Sequence, residues 1–180
     1  MGLHYPFFKA YDVRGRVPDE LSEDLAWRIG RAYAMVMQPR NVVVGHDMRL
    51  SSPTLAKALI KGLTEGGCDV TNIGLCGTEE VYFHTFNRNM GGGIMVTASH
   101  NPPDYNGFKF VGRGAAPISA DEGLGEIEEL VHGFDFGQVT YEGRARRAKP
   151  RGEYVDYLLQ QIECKGLRPC GSSSMPAMAA

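Results

Sequence analysis

Residues 41–73, NVVVGHDMRLSSPTLAKALIKGLTEGGCDVTNI, decide the fold class of this chain. They begin with Asn41-Val42-Val43-Val44-Gly45, a β-branched run that is typical of a buried strand. Ser51-Ser52-Pro53-Thr54 then opens a helix, with Pro53 in its first turn and apolar residues at helical spacing beyond it. A second apolar strand follows over 68–73. A strand, a crossover helix and a strand within roughly 30 residues predict a parallel βαβ unit.

The same alternation extends to both sides of this unit. Either Asp19 or Ser22 can cap a helix that ends before Pro39. The periodicity predicts helices over 19–37, 78–87, 119–132 and 150–164, and strands over 94–96 and 107–111. Because strands and helices alternate, we predict an α/β fold with three α/β/α layers and a mixed, mostly parallel sheet.

The composition narrows the class of protein and its partners. The chain has 180 residues with 43% apolar and 22% charged side chains, as in ordinary globular proteins. The net charge of -2 and the absence of a long apolar run predict neither a nucleic-acid partner nor a membrane partner. The start, Met1-Gly2-Leu3-His4-Tyr5, does not resemble a signal peptide. The four cysteines lack the spacing of a disulfide scaffold or a zinc site, so we expect a reduced, cytoplasmic protein.

The segment Thr97 to Lys109, TASHNPPDYNGFK, carries the densest chemistry in the sequence. It begins where an apolar strand ends, and ligands of open α/β sheets bind at that edge. Pro102 and Pro103 stiffen a stretch that holds a hydroxyl, an imidazole, amides and an ammonium. An ordinary polar turn is one interpretation. A serine hydrolase built on Ser99 and His100 is another, although the Gly-x-Ser-x-Gly elbow is absent.

Three further polar, glycine-bounded segments accompany it. Tyr11 to Gly15 precedes the first helix, Gly45 to Ser52 follows the first strand, and Gly74 to Thr78 follows the second. Since the carboxyl ends of parallel strands share one edge, we expect such segments to converge there.

In their order and spacing, these segments resemble the α-D-phosphohexomutases, and especially the bacterial phosphomannomutase branch. The resemblance covers residues 7 to about 169 and rests on Thr-Ala-Ser-His-Asn-Pro followed by Tyr-Asn-Gly-x-Lys. The run from Gly77 to Phe83 looks like the phosphomannomutase branch. The resemblance implies the family's first domain. It also implies an isomerase that interconverts hexose 6-phosphate and hexose 1-phosphate through a hexose 1,6-bisphosphate.

The resemblance also implies roles for six residues. Ser99 would carry the phosphoryl group and would be one ligand of a Mg²⁺ ion. Arg14 and Lys109 would hold phosphoryl oxygens or assist proton transfer beside Ser99. His100 would support catalysis. Substrate binding would fall to Tyr11, Asn101 and Lys109.

The chain departs from the family pattern after its first strand. Many relatives have Gly-Arg-Asp-x-Arg there, whereas this chain has His46 in place of the first arginine. Asp47 and Arg49 are kept, and we interpret them as a structural ion pair.

The sequence divides into four parts. Residues 1–132 form the predicted α/β/α domain, and 133–149 are predicted as a loop or linker with surface-exposed Arg144, Arg146, Arg147 and Lys149. Residues 150–168 are predicted as a helix leading towards a second domain. We interpret the tail 169–180 as frameshifted, because one back-translation of 170–180, read from the third base of the Cys170 codon, gives Arg-Ile-Val-Val-Asn-Ala-Gly-Asn-Gly-Gly, which resembles the family's next strand.

The predicted function is therefore the phosphoserine-bearing domain of a phosphomannomutase. A phosphoglucomutase or phosphoglucosamine mutase domain is the nearest alternative. A catalytically inactive fragment is the other, because the Asp-Gly-Asp-x-Asp metal loop of the family's second domain is absent from the sequence, as are domains 2–4.

Overall fold

The computed structural model describes residues 5–133 and 135–162. Its strands are β1 (Asp12–Arg16), β2 (Asn41–His46), β3 (Asp69–Leu75), β4 (Gly92–Val96), β5 (Tyr105–Val111) and β6 (Ala145–Arg147). Its helices are α1 (Glu23–Met37), α2 (Ser52–Glu65), α3 (Thr78–Asn87), α4 (Leu124–Gly133) and α5 (Arg151–Gln160). Short 3₁₀ turns span Arg113–Ala115 and Ala120–Glu122.

The six strands form one mixed sheet in the order β1-β5-β4-β2-β3-β6. β2 is parallel to both β3 and β4, and β3 is parallel to β6. Only β5 runs the other way, because it pairs antiparallel with both β1 and β4. The predicted mixed, mostly parallel sheet is therefore confirmed.

Alternate side chains of the central strands bury themselves on opposite faces of the sheet. Val42 and Val44 join a large core that receives α1, α2 and α4, whereas Val43 joins a smaller core beneath α3. All three valines are completely buried. Helices thus cover both faces, as the predicted α/β/α layering requires.

Helices α1 and α2 approach each other closely through two glycines. A Cβ atom at Gly62 would collide with the carbonyl oxygen of Trp27, and one at Gly30 would collide with the carbonyl oxygen of Leu59. The indole Nε1 of Trp27 donates to Glu65 at 2.6 Å beside this contact. Small residues at the crossing therefore let the two backbones pack against each other.

The structure differs from the sequence-based boundaries in four places. Helix α1 begins at Glu23 rather than at residue 19, and Ser22, one of the two predicted caps, accepts a hydrogen bond from the Leu25 N–H at 3.2 Å. The helix predicted over 119–132 is divided at Gly123, whose φ of 124° interrupts helical geometry. The polar segment Tyr11 to Gly15 is mostly strand β1 rather than a loop. Helix α5 ends at Gln160, whereas the predicted helix continues to residue 164.

Residues 133–149, predicted as a loop or linker, contain the edge strand β6. Its residues pair with 70–72 of β3, which extends the sheet by one strand. Arg144, Arg146, Arg147 and Lys149 are exposed, as predicted. The tail 169–180 and the end of the predicted 150–168 helix lie outside the described residues. Among those described, no helix is both long and apolar enough to cross a membrane.

Candidate active site

Ser99 lies where the sequence predicts it, in a loop beyond the carboxyl end of β4. We call residues 97–104, between β4 and β5, the Ser99 loop. Ser99 is exposed and has a φ of 57°, in the left-handed region that non-glycine residues seldom occupy. Its N–H donates to Thr97 Oγ1 at 2.9 Å, and the Asn101 N–H donates to the Ala98 carbonyl at 3.1 Å. These bonds form a tight turn that presents the serine hydroxyl to solvent.

The neighbouring imidazole lies within reach of this hydroxyl. Ser99 Oγ is 3.4 Å from His100 Nδ1, and both side chains are exposed. A serine hydrolase also needs a carboxylate that orients the imidazole. Within residues 5–133 and 135–162, no carboxylate hydrogen-bonds to His100. The hydrolase alternative therefore gains no support from the geometry.

Arg14 reaches the Ser99 loop from strand β1. Its Nη1 donates to Asn101 Oδ1 at 2.9 Å, while its Nε and Nη2 each lie 2.8 Å from Asp12 Oδ2. A guanidinium has five N–H groups, so these contacts leave one on each terminal nitrogen. Asp12 and Asn101 therefore hold the Arg14 guanidinium in one orientation and leave two of its N–H groups to bind an anion.

Lys109 lies on the same face of the sheet as Arg14. It is opposite Asp12 in β1 and opposite Met95 in β4, and it is half-buried. Asp12 shares a face of the sheet with Lys109, its partner across the strands, and with Arg14, which is two residues along β1. Arg14 and Lys109 therefore both lie on the side of the sheet that carries α3. In the described part of the chain, no carboxylate lies within ion-pair distance of the Lys109 ammonium. Its charge is therefore available to an anionic ligand.

Two observations describe the surroundings of these cations. Burial and, secondly, the charge of Asp12 raise the pKa of Tyr82 on α3. A cavity of about 510 Å³ opens beside Arg14 and Asn101 and is also lined by Lys9. This open recess next to the Ser99 loop is therefore lined by charges of both signs, the cations Lys9 and Arg14 and the carboxylates Asp12 and Glu20.

Glycine is required in the Tyr-Asn-Gly-x-Lys motif by the close approach of three strands. Gly107 in β5 lies opposite Arg14, and a Cβ atom there would collide with the Val13 carbonyl and crowd the Thr97 carbonyl. The Thr97 N–H also donates to the Gly107 carbonyl at 2.9 Å. The glycine thus brings the strand of Arg14 next to the start of the Ser99 loop.

Asn106, for which we predicted no role from the sequence, is completely buried. Its Nδ2 donates to Ser51 Oγ at 2.8 Å and to Ser52 Oγ at 2.9 Å, and its Oδ1 accepts from the Gly107 N–H at 2.8 Å. Ser52 Oγ in turn donates to Asp47 Oδ1 at 2.5 Å. The asparagine therefore connects the β2–α2 loop to the strand that follows the Ser99 loop.

The remaining sequence-based expectations have mixed outcomes. The Asp47–Arg49 ion pair is confirmed, with 3.4 Å between Oδ2 and Nε. Tyr11 immediately precedes β1, with 65% of its surface exposed, and it makes no hydrogen bond within the described ranges. The roles of Ser99, Arg14, Lys109, His100, Tyr11 and Asn101 stay predictions.

The described residues offer few ligands for a metal ion. Residues 5–133 and 135–162 contain no group of three or more histidine, cysteine, aspartate or glutamate side chains that could hold one. The exposed Ser99 hydroxyl is a single oxygen ligand, and phosphorylation would add the hard oxygen donors that Mg²⁺ prefers. Ser99 fits the role of one ligand, not of a complete site.

The fold and the loop define a class of protein. Residues 6–137 match the phosphoglucomutase/phosphomannomutase α/β/α domain I, so the chain belongs to that family. This confirms the resemblance to the α-D-phosphohexomutases and to their first domain.

Individual relatives show which members of the family this chain is similar to. The chain is 52% identical to a phosphomannomutase of Escherichia coli strain K12 and 51% identical to a protein of Xanthomonas campestris strain B100 named phosphohexose mutases. These alignments cover 90% and 91% of this chain but 36% and 37% of the relatives. A crystal structure of a phosphoglucomutase/phosphomannomutase family protein from Burkholderia thailandensis superimposes with a TM-score of 0.81 at 34% identity, over 91% of this chain and 37% of that one. The chain thus spans little more than a third of each relative.

Proposed function

We propose that this chain supplies the phosphoserine-bearing domain of a hexose-phosphate mutase, with Ser99 as the phosphoryl carrier. In the forward step, a sugar hydroxyl attacks the phosphorus of phosphoserine 99 and the bond from phosphorus to Ser99 Oγ breaks. The sugar proton moves to the departing serine oxygen. In the return step, the serine oxygen takes the phosphoryl group from the other end of the hexose 1,6-bisphosphate, and the proton moves back.

One observation carries this proposal. Ser99 stands on a tight turn at the carboxyl edge of the sheet, and Arg14 is hydrogen-bonded to the same loop through Asn101. Phosphoryl transfer needs positioning and neutralisation of charge more than covalent help from the protein. Arg14, with its spare donors, would provide both at the Ser99 loop, and Lys109, which has no ion-pair partner among the described residues, would add a second cation from the same face of the sheet.

The metal and the substrates follow from the same chemistry. We propose Mg²⁺, which would offset charge on the phosphoryl oxygens, with the Ser99 phosphate as one ligand. Ser99 itself holds the phosphoryl group, and Arg14 orients it. We propose mannose 6-phosphate and mannose 1-phosphate as substrates, because the curated relatives carry the name phosphomannomutase. Glucose or glucosamine phosphates are the alternative, and the cytoplasm is the predicted compartment.

A second candidate is a domain that binds and accepts phosphoryl groups without turnover. The chain spans 36% of the length of the curated phosphomannomutases it matches. Holding both ends of the sugar in line contributes about 7–11 kcal/mol to such reactions, and one wall of a cleft does not provide it. We therefore expect the isolated 180-residue chain to interconvert mannose phosphates negligibly.

The proposal is tested by presenting the chain with hexose 1,6-bisphosphates and Mg²⁺. Amide signals of residues 14, 99–101 and 109 should shift in NMR titrations, and mass spectrometry should find a phosphoryl group on Ser99. Ser99→Ala should abolish the modification and keep the binding shifts. Ligand shifts elsewhere on the sheet, with Ser99 unmodified, would contradict the proposal.

A further inference from the structure

We infer that Arg49 is a positioning residue for Ser99, because its guanidinium holds the backbone of the Ser99 loop in one conformation. The inference rests on the proposed function for the importance of Ser99. The contacts themselves depend only on the fold.

Arg49 donates to four backbone carbonyls around the Ser99 loop. Nη2 bonds to Ser99 O at 3.1 Å and Asn101 O at 2.6 Å, and Nη1 bonds to Pro102 O at 2.6 Å and Tyr105 O at 2.9 Å. Hydrogen bonds from a charged donor are stronger than neutral ones. A single side chain therefore spans the loop from Ser99 to the first residue of β5.

Asp47 holds the guanidinium in place for this task. Its Oδ2 lies 3.4 Å from Arg49 Nε, and its Oδ1 accepts the Arg49 N–H at 3.0 Å. Asp47 is itself anchored at the carboxyl edge of the sheet, since its N–H donates to the Val96 carbonyl at 3.0 Å. The arginine side chain is only 13% exposed. Asp47 therefore holds the Arg49 guanidinium at a fixed position next to β4.

The conformation that Arg49 holds needs such support. Ser99 sits at a φ of 57°, and a non-glycine residue keeps such geometry only when surrounding contacts impose it. Inside the loop, the backbone bonds to itself from Asn101 N–H to Ala98 O and from Tyr105 N–H to Pro102 O. The carbonyls of Ser99 and Asn101 belong to the first turn, and those of Pro102 and Tyr105 belong to the second. Arg49 ties the two turns together.

The same contacts leave Arg49 unable to bind a phosphate ligand through its terminal nitrogens. Four of its five N–H groups, those on the two terminal nitrogens, bond to backbone carbonyls, and Nε lies 3.4 Å from Asp47 Oδ2, so the terminal nitrogens have no N–H left for a phosphoryl oxygen. Arg14, by contrast, keeps two N–H groups free of protein partners in the described chain. Arg49 acts through the loop, and Arg14 faces the ligand.

Hydrogen exchange measured by NMR on the whole chain tests this inference. The variants are Arg49→Lys, which keeps the charge, and Arg49→Met, which keeps most of the packing. The control is Arg151→Met, because Arg151 also bonds a carbonyl, that of Leu75, and a carboxylate, that of Glu80, away from the Ser99 loop. Both Arg49 variants should speed exchange of the Asn101 and Tyr105 amides by about tenfold, since one ammonium cannot serve four carbonyls. The Met95 and Phe110 amides should keep their rates, and the control should match the wild type.

Two outcomes would overturn the inference. Wild-type loop rates in Arg49→Lys would show that charge alone suffices, and equal acceleration throughout the sheet would show a general structural role. A parallel measurement follows phosphoryl transfer from glucose 1,6-bisphosphate to Ser99, which should be about tenfold slower in Arg49→Lys at equal folded fraction. If wild-type Ser99 accepts no phosphoryl group, the proposed function fails, whereas the exchange rates still decide the role of Arg49.

Discussion

Arg14 and Asn101, which are 87 residues apart in the sequence, are joined by a 2.9 Å hydrogen bond from Nη1 to Oδ1. This bond ties strand β1 to the Ser99 loop and holds the guanidinium against that loop. A basic residue on the edge strand β1 therefore contacts the loop that follows the central strand β4.

The Arg14 fork should decide the affinity for phosphorylated ligands. Arg14→Gln removes the charge and the two spare donors, so we expect glucose 1,6-bisphosphate to bind about tenfold more weakly by calorimetry. Arg16→Gln is the matched control, because Arg16 lies two residues along the same strand and bonds Tyr105 Oη at 3.1 Å. Equal losses in both variants would indicate a general charge effect and would count against a specific role for Arg14.

The buried Asn106 amide should be important for stability. Asn106→Ala leaves the Ser51 hydroxyl without its amide donor and the Gly107 N–H without its acceptor, in a completely buried position. We expect the free energy of unfolding in urea to fall by about 2–4 kcal/mol. Asn87→Ala, at the exposed end of α3, should change it by less than about 0.5 kcal/mol. Comparable values for the two variants would refute this account of Asn106.

The glycine at the α1–α2 crossing should not tolerate a methyl group. Gly62→Ala places a Cβ atom against the Trp27 carbonyl, so we expect a loss of about 3 kcal/mol or more in the free energy of unfolding. Gly152→Ala provides a control of opposite sign. Nothing lies within 4 Å of that Cβ position in α5, and alanine there should stabilise the helix by about 0.5–1 kcal/mol. Thermal unfolding of both variants checks the prediction, and a stable Gly62→Ala chain would contradict the packing described above.

His84 should make the fold sensitive to mild acid. It is completely buried, and burial, followed by the charge of Arg88, lowers its pKa against the opposing effects of Glu153 and Glu80. Its two ring nitrogens have no hydrogen-bond partner in the described structure. The folded chain therefore keeps the imidazole neutral where the unfolded chain, with a pKa of about 6.5, binds a proton.

The contribution of His84 is accordingly present above about pH 6.5 and is lost as the pH falls below it. As the pH falls below about 6.5, the wild-type free energy of unfolding should decrease more steeply than that of His84→Leu. Urea titrations at several pH values measure the difference. Parallel curves for the two chains would show that His84 does not titrate differently on unfolding.

The apolar side of α5 should bind hydrophobic dyes. Val155, Leu158 and Leu159 are 43%, 40% and 55% exposed, whereas Tyr154 and Tyr157 contact Phe83 of α3. Adjacent exposed apolar side chains favour association. Leu158→Glu with Leu159→Glu should lower dye fluorescence and light scattering, whereas Val139→Glu should not. Unchanged dye binding in the double variant would place the patch elsewhere.

The sequence by itself determined the order of the elements from α1 to β5 and the motif residues of the Ser99 loop. Helix α3 has the predicted bounds, and β2, β3 and β4 lie where β-branched and apolar runs predicted them. These features depend on residues close in sequence, because helical period, β-branching and proline or glycine punctuation act over a few residues. The motif residues around Ser99 could also be identified from the sequence, because their order and spacing carry the family resemblance.

Only the tertiary structure decided which distant groups meet. The polar run of β1 has no apolar signal, and it becomes a strand because β5 offers it a free edge. Strand β6 is short, basic and exposed, and pairing with β3 alone defines it. The fork of Arg49 and the amide of Asn106 find partners more than 50 residues away. Local patterns do not encode such contacts, because they arise from strand order and register, which the packing of the whole sheet decides.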